Sequence, residues 1–329
     1  MFSRHEHPAT SPLDRLNQAE EYLREGYFAD GWALYEARWE IPTFPGNALP
    51  TQAPLWHGVE ALDGRRILLW HEQGLGDMIQ MLRFAPLVAR RGGRVILAVQ
   101  RELKRLAASV SGMEAVITSD DACEEVDYQC PLLSLPHMLR VRLATLPAPV
   151  PYLSVPTASI DAWHGQLGPS AKLRVGLMYR GNPANQGDQY RSIPVALLRG
   201  LLEVPNVEFH LLQDSVQPDD ARFLSSWPNV RAHWSALSDL AETAALAHNM
   251  DLIITVCTSI AHLAGALALP TWVLLSNHAY CLWMVGRSDS PWYPTARLFR
   301  QSEAGGWAPL IDSIAAQLRA VAAERAAHI

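Results

Sequence analysis

The sequence predicts an α/β protein of two successive doubly wound halves, preceded by a short helical hairpin. Three observations carry this expectation. From Arg65 onward, short apolar runs fit for buried strands alternate with amphipathic helical runs. The alternation is interrupted by the Pro-rich stretch Leu146 to Pro156 and then restarts. The first forty residues, by contrast, show only helical spacing. Strands alternating with helices imply right-handed βαβ units and a parallel sheet covered on both faces.

Taken in order, Asp14 to Trp39 reads as two short helices around Gly26. Leu16, Ala19 and Leu23 form one stripe, and Trp32, Tyr35 and Trp39 form another, at the spacing of three and four that shares a helix face. The phrase GYFADGWALYEARWE has the look of a single tetratricopeptide-type hairpin, which cannot bury its own face and must pack on its neighbour or on a partner. After the Pro-rich connection Ile41 to Pro54, RRILLW reads as a strand, HEQGLGD as a turn, and MIQMLRFAPLVARRGG as a helix ending at Gly92 and Gly93. RVILAVQ, AVITSD and VDYQCPLL are further strands, with RELKRLAASV a helix. In the second half LRVGLMY, VEFHLLQ, DLIITV and PTWVLLS are strands, and PVALLRGLL, SALSDLAETAALAHNM and CTSIAHLAGALAL are helices. The final APLIDSIAAQLRAVAAERAAH is a long amphipathic helix, expected to pack back on the first half. The domains are therefore expected at 1–45 (hairpin), 55–150, 151–305 and 306–329 (closing helix).

Composition sets the outer limits. At 329 residues the chain exceeds the roughly 250–300 residues at which a single core stops growing. It is 49% apolar and 18% charged, with a net charge of −6, which gives no reason to expect nucleic acid or an anionic membrane as partner. There is no uninterrupted apolar run of about 18 residues, so no transmembrane helix is expected, and the start MFSRHEHPATSPLDRLNQAEEY lacks the apolar core of a secretory signal. Cys123, Cys130, Cys257 and Cys281 show neither CxxC pairing nor zinc-like spacing with His. The expectation is reduced thiols in a cytoplasm, with no metal and no cofactor. Eleven Trp residues, many near Pro or Gly, fit either domain-interface packing or a sugar platform.

Two strand-to-helix turns stand out, because doubly wound sheets bind ligands outside the carboxyl ends of their strands. The first is His71-Glu72-Gln73-Gly74-Leu75-Gly76-Asp77. Gly74 and Gly76 permit close backbone approach, and Gln73, Gly74 and Gly76 are candidates for an acceptor-side loop. Asp77 is either a general base for an acceptor hydroxyl or an N-cap, and spacing leaves both open. The second turn runs from Thr255 to His262. Amides at a helix N-terminus favour a phosphate, Thr258 and Ser259 add hydroxyls, and His262 lies one turn beyond Thr258; a capped helix with a satisfied histidine fits equally. The loop Arg180-Gly181-Asn182-Pro183 to Tyr190-Arg191-Ser192 holds two Arg, a side chain suited to bidentate contact with phosphate. Gln213 is placed on the donor side with them, although ordinary turn and surface roles fit it, His71, Glu72, His210 and Asp214 as well. No GxxxxGK[ST] loop, GxGxxG fingerprint, GxSxG elbow or HExxH pair is present.

The motifs HEQGLGDMIQMLRFAPLVARRGGRV, VDYQCPLLSLPHML, PAPVPYLSV, RVGLMYRGNPANQGDQYRSIP, TSIAHLAGALALPTWVLL and DSPWYPTARLFRQ together resemble the glycosyltransferase domain of bacterial tetratricopeptide-repeat glycosyltransferases, which is similar to the heptosyltransferase family. The resemblance runs from about Leu55 to Gln301. It implies a GT-B fold, two Rossmann-like domains facing a central cleft, with a nucleotide-sugar donor and a protein or glycan acceptor. It further implies that Asp77 is the base, that Arg191 is the basic residue facing the donor phosphates, and that Thr258, Ser259 and His262 hold the diphosphate and sugar. The chain departs from the pattern at Cys257, where the family has Asp, and in SNHAYCLWMVGR. The expected activity is inverting, metal-independent glycosyl transfer. The alternatives are an inactive GT-B shell that binds nucleotide or protein, favoured by Cys257, and an epimerase of the same architecture.

Overall fold

The structure, a computed structural model, describes residues 11–42, 44, 51–147, 149–185, 187–302 and 306–327. Part of the Pro-rich connection and the two chain ends, included in the expected domains, lie outside these residues.

Among the described residues ten strands form two parallel sheets. The first contains β1 (Arg66–Trp70), β2 (Arg94–Ala98), β3 (Met113–Ile117) and β4 (Tyr128–Pro131) in the order β3-β2-β1-β4. The second contains β5 (Leu173–Met178), β6 (Val207–Leu211), β7 (Val230–Ala232), β8 (Leu252–Val256), β9 (Thr271–Leu275) and β10 (Ala296–Arg300) in the order β10-β9-β8-β5-β6-β7. In both, the winding reverses beside the first strand of the sheet, between β1 and β4 and between β5 and β8. That reversal leaves a crevice at the carboxyl ends of β1, β5 and β8. Every residue of β8 and β9 is buried, as a strand covered on both faces requires. The sequence reading did not anticipate β7 and β10. β7 has only three residues, none of them buried, and β10 is an edge strand.

The helices are α1 (Pro12–Glu25), α2 (Phe28–Tyr35), α3 (Leu75–Met81), α4 (Ala85–Arg90), α5 (Lys104–Ala107), α6 (Leu135–Met138), α7 (Thr157–Leu167), α8 (Asp188–Arg191), α9 (Arg199–Leu202), α10 (Pro218–Ser225), α11 (Leu240–Ala247), α12 (Ser259–Ala266) and α13 (Trp307–Ala327). A capping box of Ser11 and Asp14 starts α1, and Gly26 ends it at φ 91°, a left-handed conformation that glycine adopts without strain. Leu16, Ala19, Leu23, Trp32 and Tyr35 are buried, whereas Trp39 remains 41% exposed beside Trp70. The second stripe of the hairpin is thus shorter than its spacing suggested, because the chain tightens into a 3₁₀ turn over Glu36–Glu40 and the period of 3.6 is lost.

One continuous apolar cluster runs from α1 and α2 through the first sheet to α11, α12, Trp283 and Trp292. A second cluster, on the other side of β5 to β9, contains Ile311, Ile314 and Leu318 of α13. The closing helix therefore corrects the expectation: its principal packing is against α9 in the second half, not the first, and Arg325 pairs with Asp251 at 2.6 Å. Its apolar stripe completes the cover of the second sheet.

Arg83, fully within the interior, stitches the halves together. It donates to the carbonyls of Pro147 (3.2 Å) and Trp292 (3.0 Å) and lies over the rings of Tyr152, Trp292 and Tyr293 at 4.7 to 5.1 Å. Gly265 of α12 meets the same aromatic group: a Cβ there would lie 2.3 Å from Tyr293 Cγ. We expect Gly265→Ala to destabilise the protein by ~1–3 kcal/mol through overpacking, outweighing the ~1 kcal/mol gained in helix propensity. The measurement is the thermal unfolding midpoint, and an unchanged or raised midpoint would show that the Tyr293 ring yields without cost.

Candidate functional site

A cavity of about 1000 Å³ opens at the carboxyl ends of the strands in both halves. From the first half it is lined by Glu72 to Asp77 after β1 and by Gln100 and Glu102 after β2. From the second it is lined by the loop after β5, by Gln213 after β6, by Cys257, Thr258, Ser259 and His262 after β8, and by Tyr280 after β9.

The two turns singled out in the sequence adjoin. A Cβ on Gly76 would lie 3.0 Å from His262 Cδ2 and 3.4 Å from Ser259 Cα, so the first turn of α3 rests directly on the first turn of α12. Glycine at 76 is what permits this approach.

Asp77 is not the N-cap of its helix, which corrects one of the two readings of its position. The N-cap of α3 is Gly74, at φ −68° and ψ 161°, which places Asp77 third in the helix. The backbone N–H groups of Gly74 and of Asp77 itself and the Tyr280 hydroxyl lie near its carboxylate and favour its charged form. Burial nevertheless dominates and pushes its pKa up to about 6, because a charged carboxylate is disfavoured away from water. A Cβ on Gly74 would sit 3.2 Å from the Asp77 carboxylate.

At the second turn Thr258 is the N-cap of α12, but its side chain makes no capping bond and lies 3.3 Å from the Thr255 hydroxyl instead. Among the described residues the amides of Ser259 and Ile260 have no protein acceptor. Arg191 is held over the turn, donating to the Cys257 carbonyl at 3.2 Å and to Asp188 at 3.1 Å. Gly181 makes room for this pair, since a Cβ would be 2.3 Å from the Asp188 carboxylate. Arg180 lines the cavity while pairing with Asp220 at 2.8 Å, and the Asn182 side chain accepts from the Ala184 amide at 2.9 Å. Gln213 is only 1% exposed and neither of its amide atoms has a partner among the described residues.

His262 and Cys257 sit against aromatic rings. The His262 Nδ1 lies 3.0 Å from the Tyr293 hydroxyl, and its ring stacks on Trp283 at 5.0 Å. Burial, with Arg83 nearby, pushes its pKa down to about 3, so the ring is neutral at physiological pH. The Trp283 indole N–H donates to Cys257 Sγ at 3.2 Å, and burial raises the thiol pKa. The sulfur at this position is neutral and already occupied.

Glu72, Asp77 and Glu102 line the cavity from the first half, with the Glu72 carboxylate itself buried on Arg38, and Arg180, Arg191 and Asp214 line it from the second. This division suits an anionic ligand against the second half and proton removal at the first. His71 and His210, named from the sequence, do not line the cavity; His210 instead stacks on His233 with ring nitrogens 3.0 Å apart. Sequence reasoning missed Tyr280, Trp283, Tyr293 and Arg38. The first two fall in SNHAYCLWMVGR, whose only signal was departure from a known pattern. Among the described residues no group of three His, Cys, Asp or Glu is placed to hold a metal ion.

No family model matches the chain. Protein FlbA of Caulobacter vibrioides is 26% identical over 96% of this chain, and the chain spans 56% of that relative's length. Among solved structures, a glycosyl transferase family 9 protein from Veillonella parvula superposes with a TM-score of 0.53 at 12% identity, covering 81% of this chain and 98% of that one. The E. coli heptosyltransferase WaaC with ADP superposes at 0.50 and 12% identity, covering 79% and 99%. The fold is accordingly the α/β arrangement of two parallel sheets found in heptosyltransferase-like GT-B proteins.

The burial of Cys130, Cys257 and Cys281, against the exposure of Cys123, generates a simple expectation, since thiol reactivity follows exposure and thiolate character. In the native protein a disulfide reagent such as DTNB should label Cys123 rapidly and the other three only after denaturation. Fast labelling of Cys257 would show that the turn before α12 opens far more than its contacts imply.

Proposed function

We propose that the chain is a glycosyltransferase that transfers a sugar from a nucleotide-sugar donor to a hydroxyl, with inversion and without a metal. The observation that carries this reading is the juxtaposition, across the Gly76–His262 contact, of a raised-pKa carboxylate and a turn with free amides beneath Arg191. The donor diphosphate rests on the Ser259 and Ile260 amides and on Arg191, with Arg180, Asn182, Gln213, Thr258 and His262 around it. Helix amides need no reorganisation to stabilise the departing charge. The acceptor hydroxyl enters beside Gln73, Gly74 and Gly76, displacing the Tyr280 phenol from Asp77. Asp77 takes its proton as the acceptor oxygen bonds to the anomeric carbon from the face opposite the donor. The bond from that carbon to the phosphate oxygen breaks, and the nucleoside diphosphate leaves.

We further infer that the hairpin of α1 and α2 is a tetratricopeptide-type unit, that the chain divides near residues 45–55, 150 and 305, that the acceptor is a protein or glycan, and that the protein works in a bacterial cytoplasm. The absence of any helix long and apolar enough to cross a membrane among the described residues is compatible with that setting. A second reading, an inactive shell that binds nucleotide or protein, is favoured by Cys257, whose buried neutral sulfur is engaged by Trp283 and cannot serve as a carboxylate would.

Three outcomes test the reading. A panel of ADP-, UDP- and GDP-sugars screened by thermal shift should contain one that stabilises the protein, by about 2.7 kcal/mol when present at a hundred times its dissociation constant; stabilisation by no member would remove the donor site. With that donor, Asp77→Asn should lower transfer by roughly 10²–10⁴-fold while donor affinity stays within a few-fold, and binding with no transfer by the wild-type protein would favour the inactive shell. Because Asp77 must be ionised to accept a proton, kcat/KM should fall as pH drops through about 6. An acid limb centred near the ordinary carboxylate value would assign the base elsewhere.

A further inference from the structure

The helical hairpin reaches into the site. Arg38 follows α2, is fully buried, and forks onto Glu72: its Nε donates to Oε2 at 2.7 Å and its Nη2 to Oε1 at 2.8 Å. The same guanidinium donates to Glu36 at 2.7 Å, to the Tyr35 carbonyl at 3.2 Å and to the Ser134 hydroxyl at 2.8 Å. Glu72 also accepts the Leu133 amide at 3.2 Å. Next in the chain, the Gln73 side-chain amide donates to the Tyr35 hydroxyl at 2.9 Å, and the Gln73 carbonyl accepts from Gln100 at 2.8 Å. Glu72 and Gln73 are the two residues immediately before the Gly74 cap of α3, and both line the cavity. At its other end the hairpin meets the loop that carries Tyr280 and Trp283. The Arg24 carbonyl accepts the Val285 amide at 3.2 Å, and Gly26 leaves just enough room for Met284, whose Cε would lie 2.9 Å from a Cβ there.

A buried ion pair seldom stabilises a fold more than a well-packed apolar substitute would, since the desolvation of both charges offsets their attraction. What the bidentate fork does supply is direction. Without Arg38, Glu72 would be an uncompensated buried carboxylate and the turn would have to move to hydrate it.

We propose that Arg38 and Tyr35 are positioning residues that, through Glu72 and Gln73, hold the turn leading into α3 where it aims the Asp77 carboxylate at the acceptor hydroxyl. The hairpin is then a working part of the transfer site. This rests on the reading of Asp77 as the base.

The test uses the full chain with Tyr35→Phe, which deletes one hydroxyl, and Arg38→Lys, which keeps the charge but loses the fork. Hydrogen exchange of the amides of residues 72–78 should accelerate about fivefold in Tyr35→Phe, as expected for loss of one net hydrogen bond of about 1 kcal/mol. It should accelerate about tenfold or more in Arg38→Lys, with β8 and β9 unchanged. With the nucleotide-sugar that stabilises the wild type most in thermal shift, kcat should fall by similar factors and donor KM should stay within about twofold, because orientation at the reacting atoms is lost and donor contacts are not. Wild-type kcat in folded Tyr35→Phe and Arg38→Lys overturns the proposal, whether or not exchange accelerates. If Arg38→Lys does not fold, Tyr35→Phe decides alone. Full activity in Asp77→Asn would instead remove the base and with it the proposed aim, while leaving the exchange result as a measure of the strap.

Discussion

The arrangement depends on one close contact, the first turn of α3 resting against the first turn of α12 with no side chain between them at Gly76. Any larger residue at 76 would meet His262 and the Ser259 backbone. It would separate the carboxylate at the end of β1 from the amides at the end of β8. Backbone contact of this kind cannot be replaced by a longer side chain, because the amides and the carboxylate are both fixed to helix starts whose axes the sheets set. The reversal of strand order in each sheet opens the crevice, and the glycine lets its two walls touch at one point.

Around that point the interior carries more charge than a core of ordinary packing would need. Arg83 has no carboxylate partner among the described residues and is satisfied by three carbonyls, those of Gln80, Pro147 and Trp292, by the Tyr152 hydroxyl and by three aromatic faces. Arg38 is matched to Glu72 and Glu36. Both guanidiniums join segments distant in sequence, and Arg38 directly backs Glu72 of the cavity lining. Buried cations are costly to desolvate, so their hydrogen-bond geometry leaves few alternative packings for the segments they join. A continuous apolar cluster then carries that order from the hairpin to α12.

The electrostatic character of the cavity follows from which half contributes which side chain. Arg180 and Arg191, on the side that also carries Asp214, would attract the negative end of a ligand and leave its neutral end toward Asp77 on the other. The aromatic backing of His262 and Cys257 removes two further charges: the imidazole is kept neutral by burial and the thiol stays protonated. The second-half wall of the cavity therefore offers amides and arginines beside an imidazole and a thiol that both stay uncharged near neutrality.

Much of the fold was legible because buried parallel strands are nearly all apolar and the intervening helices keep their period. That pattern survives in β1, β2, β5, β6, β8 and β9, and it fails for β7 and β10, where edge position or brevity removes the signal. Local sequence alone determined the two strand-to-helix turns, the glycines within them and the separation of two α/β halves, since each is set by residues within a few positions of one another. Only tertiary structure decided that Asp77 neighbours Tyr280, that Arg191 lies over the turn before α12, that Arg38 grips Glu72, and that α13 covers the second sheet. These depend on contacts between residues far apart in sequence, which no periodicity records.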